Sequence, residues 1–122
     1  MHQAAIVCHS EWVIMELLWE RPRTLTELVK ELHESTGWTK STVATMVRRM
    51  AEKGSIHYTT NGRAKLFIPT VSRDYVSLLE TKELLKRAFH GRPSLLIDAL
   101  VQDNALSAAD IDEIQQLLKS AK

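Results

Sequence analysis

The 122-residue chain has little cysteine and no long apolar run, and each shortage excludes a class of protein. Its one cysteine, Cys8, has no partner for an internal disulfide, which favours a reducing compartment and predicts a cytoplasmic protein. No apolar stretch approaches the roughly 18 residues that a membrane helix needs, so membrane insertion is not expected. Residues 1–12 contain neither a basic stretch nor a long apolar core, so no signal peptide is predicted.

The sequence features that usually signal an enzyme are also missing. There is no glycine-rich phosphate loop and no cluster of residues spaced as metal ligands. Serine, histidine and aspartate are present, but a catalytic triad cannot be recognised from sequence distances. We therefore predict a protein that is not an enzyme, needs no cofactor and holds no metal.

Positive charge is concentrated in one part of the chain. The net charge is +1, yet the segment from Trp38 to Lys65 has six cations and one anion, so it carries +5 and leaves −4 for the rest. The six cations are Lys40, Arg48, Arg49, Lys53, Arg63 and Lys65. A local cationic patch on a nearly neutral chain indicates a polyanionic partner, although an ordinary solvated face would have the same composition.

Apolar periodicity and helix-capping residues predict three short helices before residue 55. The predicted helices cover about residues 9–20, 24–36 and 39–53. Thr24 and Glu27 have the spacing of a reciprocal capping box, and Thr39 is a good N-cap for the third helix. Gly37 and Gly54 follow the second and third helices, where the left-handed backbone of a helix C-terminus favours glycine.

The segment "SIHYTTNGRAKLFIPT" predicts a β-hairpin. Ile56 and Tyr58 alternate with polar residues, Asn61-Gly62 supplies a tight turn, and Pro69 closes the returning strand. Two helices joined by the turn "STGWT" and followed by a hairpin predict a winged helix-turn-helix. The fold class is therefore mainly α with a small β-hairpin, and the predicted DNA-binding domain covers residues 1–71.

Residues 72–122 are predicted to form a second, helical domain. A segment of this size buries too little apolar surface to be stable alone, so its apolar stripes need a partner. We favour a second copy, which makes this segment a dimerisation arm of a homodimer; the alternative is that the arm folds back on residues 1–71. The candidate dimerisation residues are Tyr75, Leu78, Leu79, Leu85, Phe89, Leu96, Leu100, Ile111, Ile114, Leu117 and Leu118.

The third helix has the composition expected of a helix that enters the major groove of DNA. Ser41 and Thr45 lie nearly opposite its apolar stripe, and such short side chains let the backbone approach base edges. Arg48 lies one turn further along the same face, and Arg63 follows the hairpin turn. The candidate DNA-binding residues are Thr39, Lys40, Ser41, Thr42, Ala44, Thr45, Arg48, Arg49, Lys53, Arg63 and Lys65. A winged-helix protein-interaction module remains the alternative.

Four segments, "SEWVIMELLWE", "TLTELVKEL", "GWTKSTVATMVRRMAEKG" and "NGRAKLFIPTVSRDYV", resemble the penicillinase-repressor family in order and spacing. The resemblance is strongest at Glu11-Trp12, Trp38-Thr39, Thr42, Thr45, Arg49–Gly54, Gly62-Arg63-Ala64, Pro69 and Tyr75. It implies a dimeric winged-helix repressor that binds double-stranded DNA at palindromic, inverted-repeat operators and controls a resistance or stress gene. For some members it also implies a membrane sensor-protease that inactivates the repressor by triggering cleavage of the arm.

This sequence departs from the family pattern at three points. Its C-terminus lacks the cysteines of the copper-responsive members. Ala99 and Leu100 occupy the position of the Asn-Phe bond that is cut in β-lactam-responsive members, so they form the candidate proteolytic site although the pair differs. Cys8 stands where members usually have a serine or threonine cap.

Cys8 and the tryptophans each allow a second interpretation. Cys8, with His9 and His2 nearby, could build a metal- or redox-responsive switch, but adjacent side chains point apart and zinc needs about four ligands, so a poor helix cap is favoured. Trp12 and Trp19 share the apolar stripe of the first helix and are predicted to be core residues. Trp38 either packs against the turn or contacts the sugar-phosphate backbone.

Overall fold

The computed structural model describes residues 7–121, and its elements confirm a mainly α fold with a small β-sheet. Their order is α1 (Glu11–Glu20), β1 (Arg23–Thr24), α2 (Leu25–Thr36), α3 (Lys40–Lys53), β2 (Ile56–Asn61), β3 (Ala64–Pro69), α4 (Arg73–Phe89), α5 (Pro93–Gln102) and α6 (Ala108–Ser120). None of the helices within residues 7–121 combines the length and apolar character of a membrane span.

Local hydrogen bonds at the helix ends follow the capping residues in the sequence. Thr24 Oγ1 accepts the Glu27 N–H at 3.2 Å, and the Glu27 carboxylate accepts the Thr24 N–H at 2.9 Å, which completes the capping box of α2. That backbone hydrogen bond stabilises the charged carboxylate and lowers the pKa of Glu27. Thr39 Oγ1 accepts the Thr42 N–H at 3.2 Å and so caps α3.

Cys8 takes part in the start of α1 through its backbone and not as a side-chain cap. Its N–H donates to Glu11 Oε1 at 3.0 Å, and its carbonyl accepts the Glu11 N–H at 2.9 Å. The helix begins at Glu11, two residues later than the periodicity predicts. The interpretation of Cys8 as a poor substitute for a hydroxyl cap agrees with this geometry.

The sheet has the order β1-β3-β2, and both pairings are antiparallel. Tyr58 pairs with Phe67 across the hairpin, and Arg23 of β1 pairs with Phe67 from the other side. The sequence pattern does not predict β1, because a strand of two residues has no periodicity and forms only where β3 supplies its hydrogen-bonding partner.

Arg23 lies in β1 with 4% of its surface exposed, and it is held by two carboxylates. Its guanidinium pairs with Glu31 at 2.9 Å and with Glu20 at 3.2 Å, and it also donates to the Leu17 carbonyl. The hydrogen bond to Glu31 is the main reason that the pKa of Arg23 is raised. These contacts join the end of α1 to α2.

A single apolar core lies among the three helices and the sheet of the winged helix. Its buried members are Val7, Ile14, Met15, Leu18, Leu28, Leu32, Val43, Val47, Met50, Ile56, Phe67 and Val76. Trp12 and Trp19 are half-buried against this core with their rings edge to face, 5.5 Å apart. Trp38 also packs against the core, which favours the packing interpretation over a backbone contact.

The chain divides into two compact units, one ending at Glu80 and the other beginning at Thr81. Val76, in the second turn of α4, is buried in the core of the first unit. In the second unit, no side chain that the structure describes between residues 81 and 121 is fully buried. The domain boundary predicted after residue 71 stays a prediction.

Candidate nucleic-acid interface

One face of α3 packs in the core and the opposite face contacts solvent. Val43, Val47 and Met50 are buried, and they place the remaining positions of the helix outward. Thr39, Lys40, Ser41 and Thr42, at the N-terminal end, are exposed, whereas Ala44 and Thr45 are half-buried. The outer face of α3 therefore has short side chains at the end that is predicted to enter the major groove.

The cations of this outer face differ in whether a carboxylate is paired with them. Arg48 is 3.8 Å from Glu52, one turn away, and both side chains are more than half exposed. An exposed pair of this kind is weak, so Arg48 can exchange Glu52 for a phosphate or a base at little cost. In the part of the chain that the structure describes, Lys40 and Arg49 have no carboxylate partner.

Lys53, the last residue of α3, is engaged within the protein. Its ammonium is 2.7 Å from Glu11 Oε1, and Glu11 has 7% of its surface exposed. The sequence pattern places Lys53 beside Arg48 on the helix and so predicts a phosphate contact for it. Glu11 is 42 positions away in the sequence, so no local pattern could indicate this ion pair.

The β2–β3 hairpin forms the wing and carries two further cations. Gly62 adopts a left-handed backbone with φ of 69° at the turn, which a residue with a side chain adopts only with strain. Arg63 is exposed next to it. Lys65 extends over the Tyr58 ring, with its ammonium 4.5 Å from the ring centroid. Both cations lack a carboxylate partner among the described residues.

A groove of about 600 Å³ separates α3 from the wing. Val47 and Phe67 contribute to its apolar lining. Arg48, Arg63 and Lys65 contribute three cations, and Glu52 contributes one carboxylate, so cations predominate. The structure therefore brings Arg48 together with two wing cations that lie at least 15 positions further along the sequence. Such a groove has the chemistry to hold a sugar-phosphate strand, with apolar contacts to the sugars and cations for the phosphates.

The groove also has lining residues that the sequence pattern does not indicate as DNA contacts. Thr26, in the first turn of α2, and Tyr58, on β2, both line the groove. Thr26 reaches it because β1 pairs with β3 and brings the start of α2 beside the wing. Tyr58 carries a signal in the sequence, since an aromatic residue on a hairpin is a common contact residue, but its alternation with polar residues predicts only the strand.

The predicted dimerisation residues vary in exposure. Tyr75, Leu78, Ile111, Leu117 and Leu118 are exposed, and the last two reach 63% and 68%. The others are half-buried, namely Leu79, Leu85, Phe89, Leu96, Leu100 and Ile114. Ala99 and Leu100, the candidate cleavage pair, lie within α5, so a protease would need this helix to open locally.

No group of three or more histidine, cysteine, aspartate or glutamate side chains within residues 7–121 is arranged to hold a metal. Cys8 is exposed, and its sulfur is 3.8 Å from the Lys53 ammonium. The metal-switch alternative also invoked His2, which lies outside the described residues.

Comparison with known proteins decides the family. Residues 7–120 match the family described as penicillinase repressor. The chain belongs to the penicillinase-repressor family. This family consists of DNA-binding transcriptional repressors and not of enzymes, which confirms the prediction that the protein is not an enzyme.

Relatives in this family match nearly the whole chain. The penicillinase repressor of Bacillus licheniformis is 25% identical over 118 residues, which cover 95% of this chain and 91% of that protein. The methicillin resistance regulatory protein MecI of Staphylococcus aureus (strain N315) is 20% identical over 113 residues, or 92% of each chain. The solution structure of the DNA binding domain of the repressor BlaI superposes with a TM-score of 0.54 at 24% identity, and the match covers 60% of this chain and 90% of that one. This last match confirms the winged-helix fold.

Proposed function

We propose that this member of the penicillinase-repressor family represses transcription by binding an inverted-repeat operator as a homodimer. The observation that carries the proposal is the outer face of α3, which combines exposed short side chains with cations that continue across a groove onto the wing. The names of its relatives, a penicillinase repressor and a methicillin resistance regulator, support a role in transcription.

The N-terminal half of α3 is the proposed base-reading element. The major groove is about 12 Å wide and admits one helix, whose first turns lie nearest the bases. Ser41 and Thr45 offer a hydroxyl each on this face, and neither is buried. Arg48 follows one turn later and can reach a guanine edge or a phosphate.

The remaining cations are proposed to bind phosphates. Lys40 and Arg49 flank the base-reading residues on α3, and Arg63 and Lys65 extend from the wing on the other side of the groove. Phosphate contacts of this kind set affinity and register without reading sequence. In this arrangement the groove holds the DNA backbone between the major-groove helix and the wing.

Residues 72–122 are proposed to hold two copies together. In the described part of this segment the apolar side chains of α6 remain largely exposed, and a segment with no buried side chain beyond residue 80 lacks a core of its own. A second copy would cover these stripes by a two-fold contact. Two α3 helices would then enter successive major grooves about one DNA turn, or 34–36 Å, apart.

For the regulated gene and the inducing signal, the support comes from the family and not from the geometry. We propose that the protein acts in the cytoplasm on a resistance or stress gene, and that a membrane sensor-protease inactivates it by triggering cleavage of the arm. Ala99-Leu100 is the candidate bond. Cleavage there would remove α6 and with it the exposed leucines at its end.

Selection from a randomised duplex library tests the proposal. The wild-type protein should enrich duplexes with two inverted half-sites about one turn apart, and footprinting should protect both halves on the same face. Affinity for the enriched duplex should fall steeply between low and moderate salt. A protein that enriches no sequence and stays free of DNA even in dilute buffer would instead be a protein-interaction module.

A further inference from the structure

The ion pair between Glu11 and Lys53 joins the first residue of α1 to the last residue of α3. Glu11 Oε1 accepts the Lys53 ammonium at 2.7 Å and the Cys8 N–H at 3.0 Å, so the carboxylate is held by two donors. The Glu11 side chain is 9% exposed and that of Lys53 is 33% exposed. We call this pair the clamp.

The clamp is the one ion pair within residues 7–121 that ties α3 to another element. The second ion pair of α3, between Arg48 and Glu52, lies within the helix and leaves its position unaffected. Because Glu11 is nearly buried, its charge depends on Lys53 and the Cys8 N–H for compensation. An exposed pair would contribute much less, since solvent screens it.

We propose that the clamp sets the tilt of α3 in the DNA complex, which makes Glu11 and Lys53 positioning residues for base recognition and removes Lys53 from the phosphate contacts. This inference rests on the proposed function. Glu11 itself is an anion on another helix, so it acts through Lys53 and not by touching DNA.

The distance along α3 between the clamp and the base-reading residues explains why sequence specificity should depend on the clamp. Thr45 is eight residues before Lys53, or about 12 Å along the helix axis. A rotation of about 5° at the clamp moves a point at that distance by about 1 Å, whereas good hydrogen-bond distances span only about 0.5 Å. Short side chains such as Ser41 and Thr45 cannot follow such a shift, but long arginine and lysine side chains can.

The sign of the Glu11→Gln effect separates positioning from simple electrostatics. Removing an anion near a DNA-binding face should raise affinity for any duplex. A lost clamp should instead lower affinity for the enriched operator duplex by about tenfold, the size of one lost hydrogen bond, and should not lower affinity for an unrelated duplex. Glu16→Gln is the matched control, because it makes the same charge change on the same helix and breaks an ion pair, with Arg73, that does not involve α3.

Variants of Lys53 test the same ion pair independently. Lys53→Met should weaken operator binding by a similar factor without changing the slope of log affinity against log salt, whereas loss of a phosphate contact would lower that slope by about 0.9 per subunit. Lys53→Arg keeps the pair and should retain operator affinity. The double variant Glu11→Gln/Lys53→Met should lose no more than either single variant.

Each measurement is made by anisotropy titration of two labelled duplexes, one enriched by the wild-type protein and one unrelated duplex of equal length. If Glu11→Gln behaves like Glu16→Gln, or Lys53→Met lowers the salt slope, the clamp has no positioning role. If Glu11→Gln does not fold, as judged by thermal melting, the comparison of Lys53→Met with Lys53→Arg tests the proposal by itself. Equal operator affinity of these two variants would then refute the positioning role. Failure of the wild-type protein to bind either duplex would refute the proposed function instead.

Discussion

Replacing Arg63 by alanine removes the cation at the tip of the wing. Arg63 follows the left-handed turn at Gly62, is exposed, and has no carboxylate partner in the described part of the chain. Its full charge is therefore available to a phosphate. An exposed substitution without intramolecular contacts changes the free energy of unfolding by about 0.5 kcal/mol or less, so the variant should fold normally.

The size of the effect follows from counterion release. Each phosphate contact contributes about 0.9 to the slope of log affinity against log salt, and a dimer has two copies of Arg63, so the slope should fall by about 1.8. Over a fourfold rise in salt, from about 50 to 200 mM, two such contacts account for about a twelvefold loss of affinity. Over that rise in salt, the wild-type protein should therefore lose about twelvefold more affinity than Arg63→Ala loses.

The assay is an electrophoretic shift or anisotropy titration at several salt concentrations with operator and unrelated duplexes. Because a phosphate carries no sequence information, both duplexes should lose affinity in parallel. Lys119→Ala, which removes a cation from the last turn of α6, is the control and should leave the slope unchanged. The reasoning is refuted if Arg63→Ala loses operator binding alone, or if its salt slope equals that of the wild-type protein.

Three further variants test base reading, helix capping and the arm. Thr45→Ala should narrow the affinity gap between operator and unrelated DNA without changing the salt slope, because a base contact is lost while the phosphate contacts remain. Thr24→Ala should lower the free energy of unfolding in urea by about 1 kcal/mol, the usual cost of a lost N-cap. The accompanying contribution of Glu27, whose pKa is lowered on folding, is present above the pKa of the unfolded chain and is lost as the pH falls through the folded pKa. Leu117→Lys with Leu118→Lys should produce a monomer in sedimentation equilibrium, since both exposed leucines are proposed to lie in the dimer contact.

Matched variants control for these effects. Thr59→Ala changes an exposed threonine on β2 and should leave the operator preference intact. Thr26→Ala lies two residues into α2 without a capping role and should leave the stability nearly unchanged. Gln115→Lys with Gln116→Lys adds the same charge to α6 and should stay dimeric. A leucine double variant that sediments as a dimer would show that the arm is assigned wrongly.

Local sequence signals were sufficient to predict most of the secondary structure. Thr24 and Thr39 start the second and third helices as predicted, because a cap satisfies backbone N–H groups within three residues of itself. The Asn61-Gly62 turn and the alternation around it predicted the hairpin for the same reason, since both depend on near neighbours. The outer face of α3 was also predictable, because helical periodicity assigns each residue to a face.

The sequence by itself therefore determined the helices, the hairpin, the family and the cationic face of α3, all of which depend on residues close together in the chain. Only the tertiary structure decided which distant residues meet. It formed β1 against β3, placed Thr26 beside the wing, and paired Lys53 with Glu11 across 42 positions. These contacts are absent from any local pattern because they arise only when the core brings separate elements together, and they change Lys53 from an apparent phosphate ligand into part of an internal ion pair.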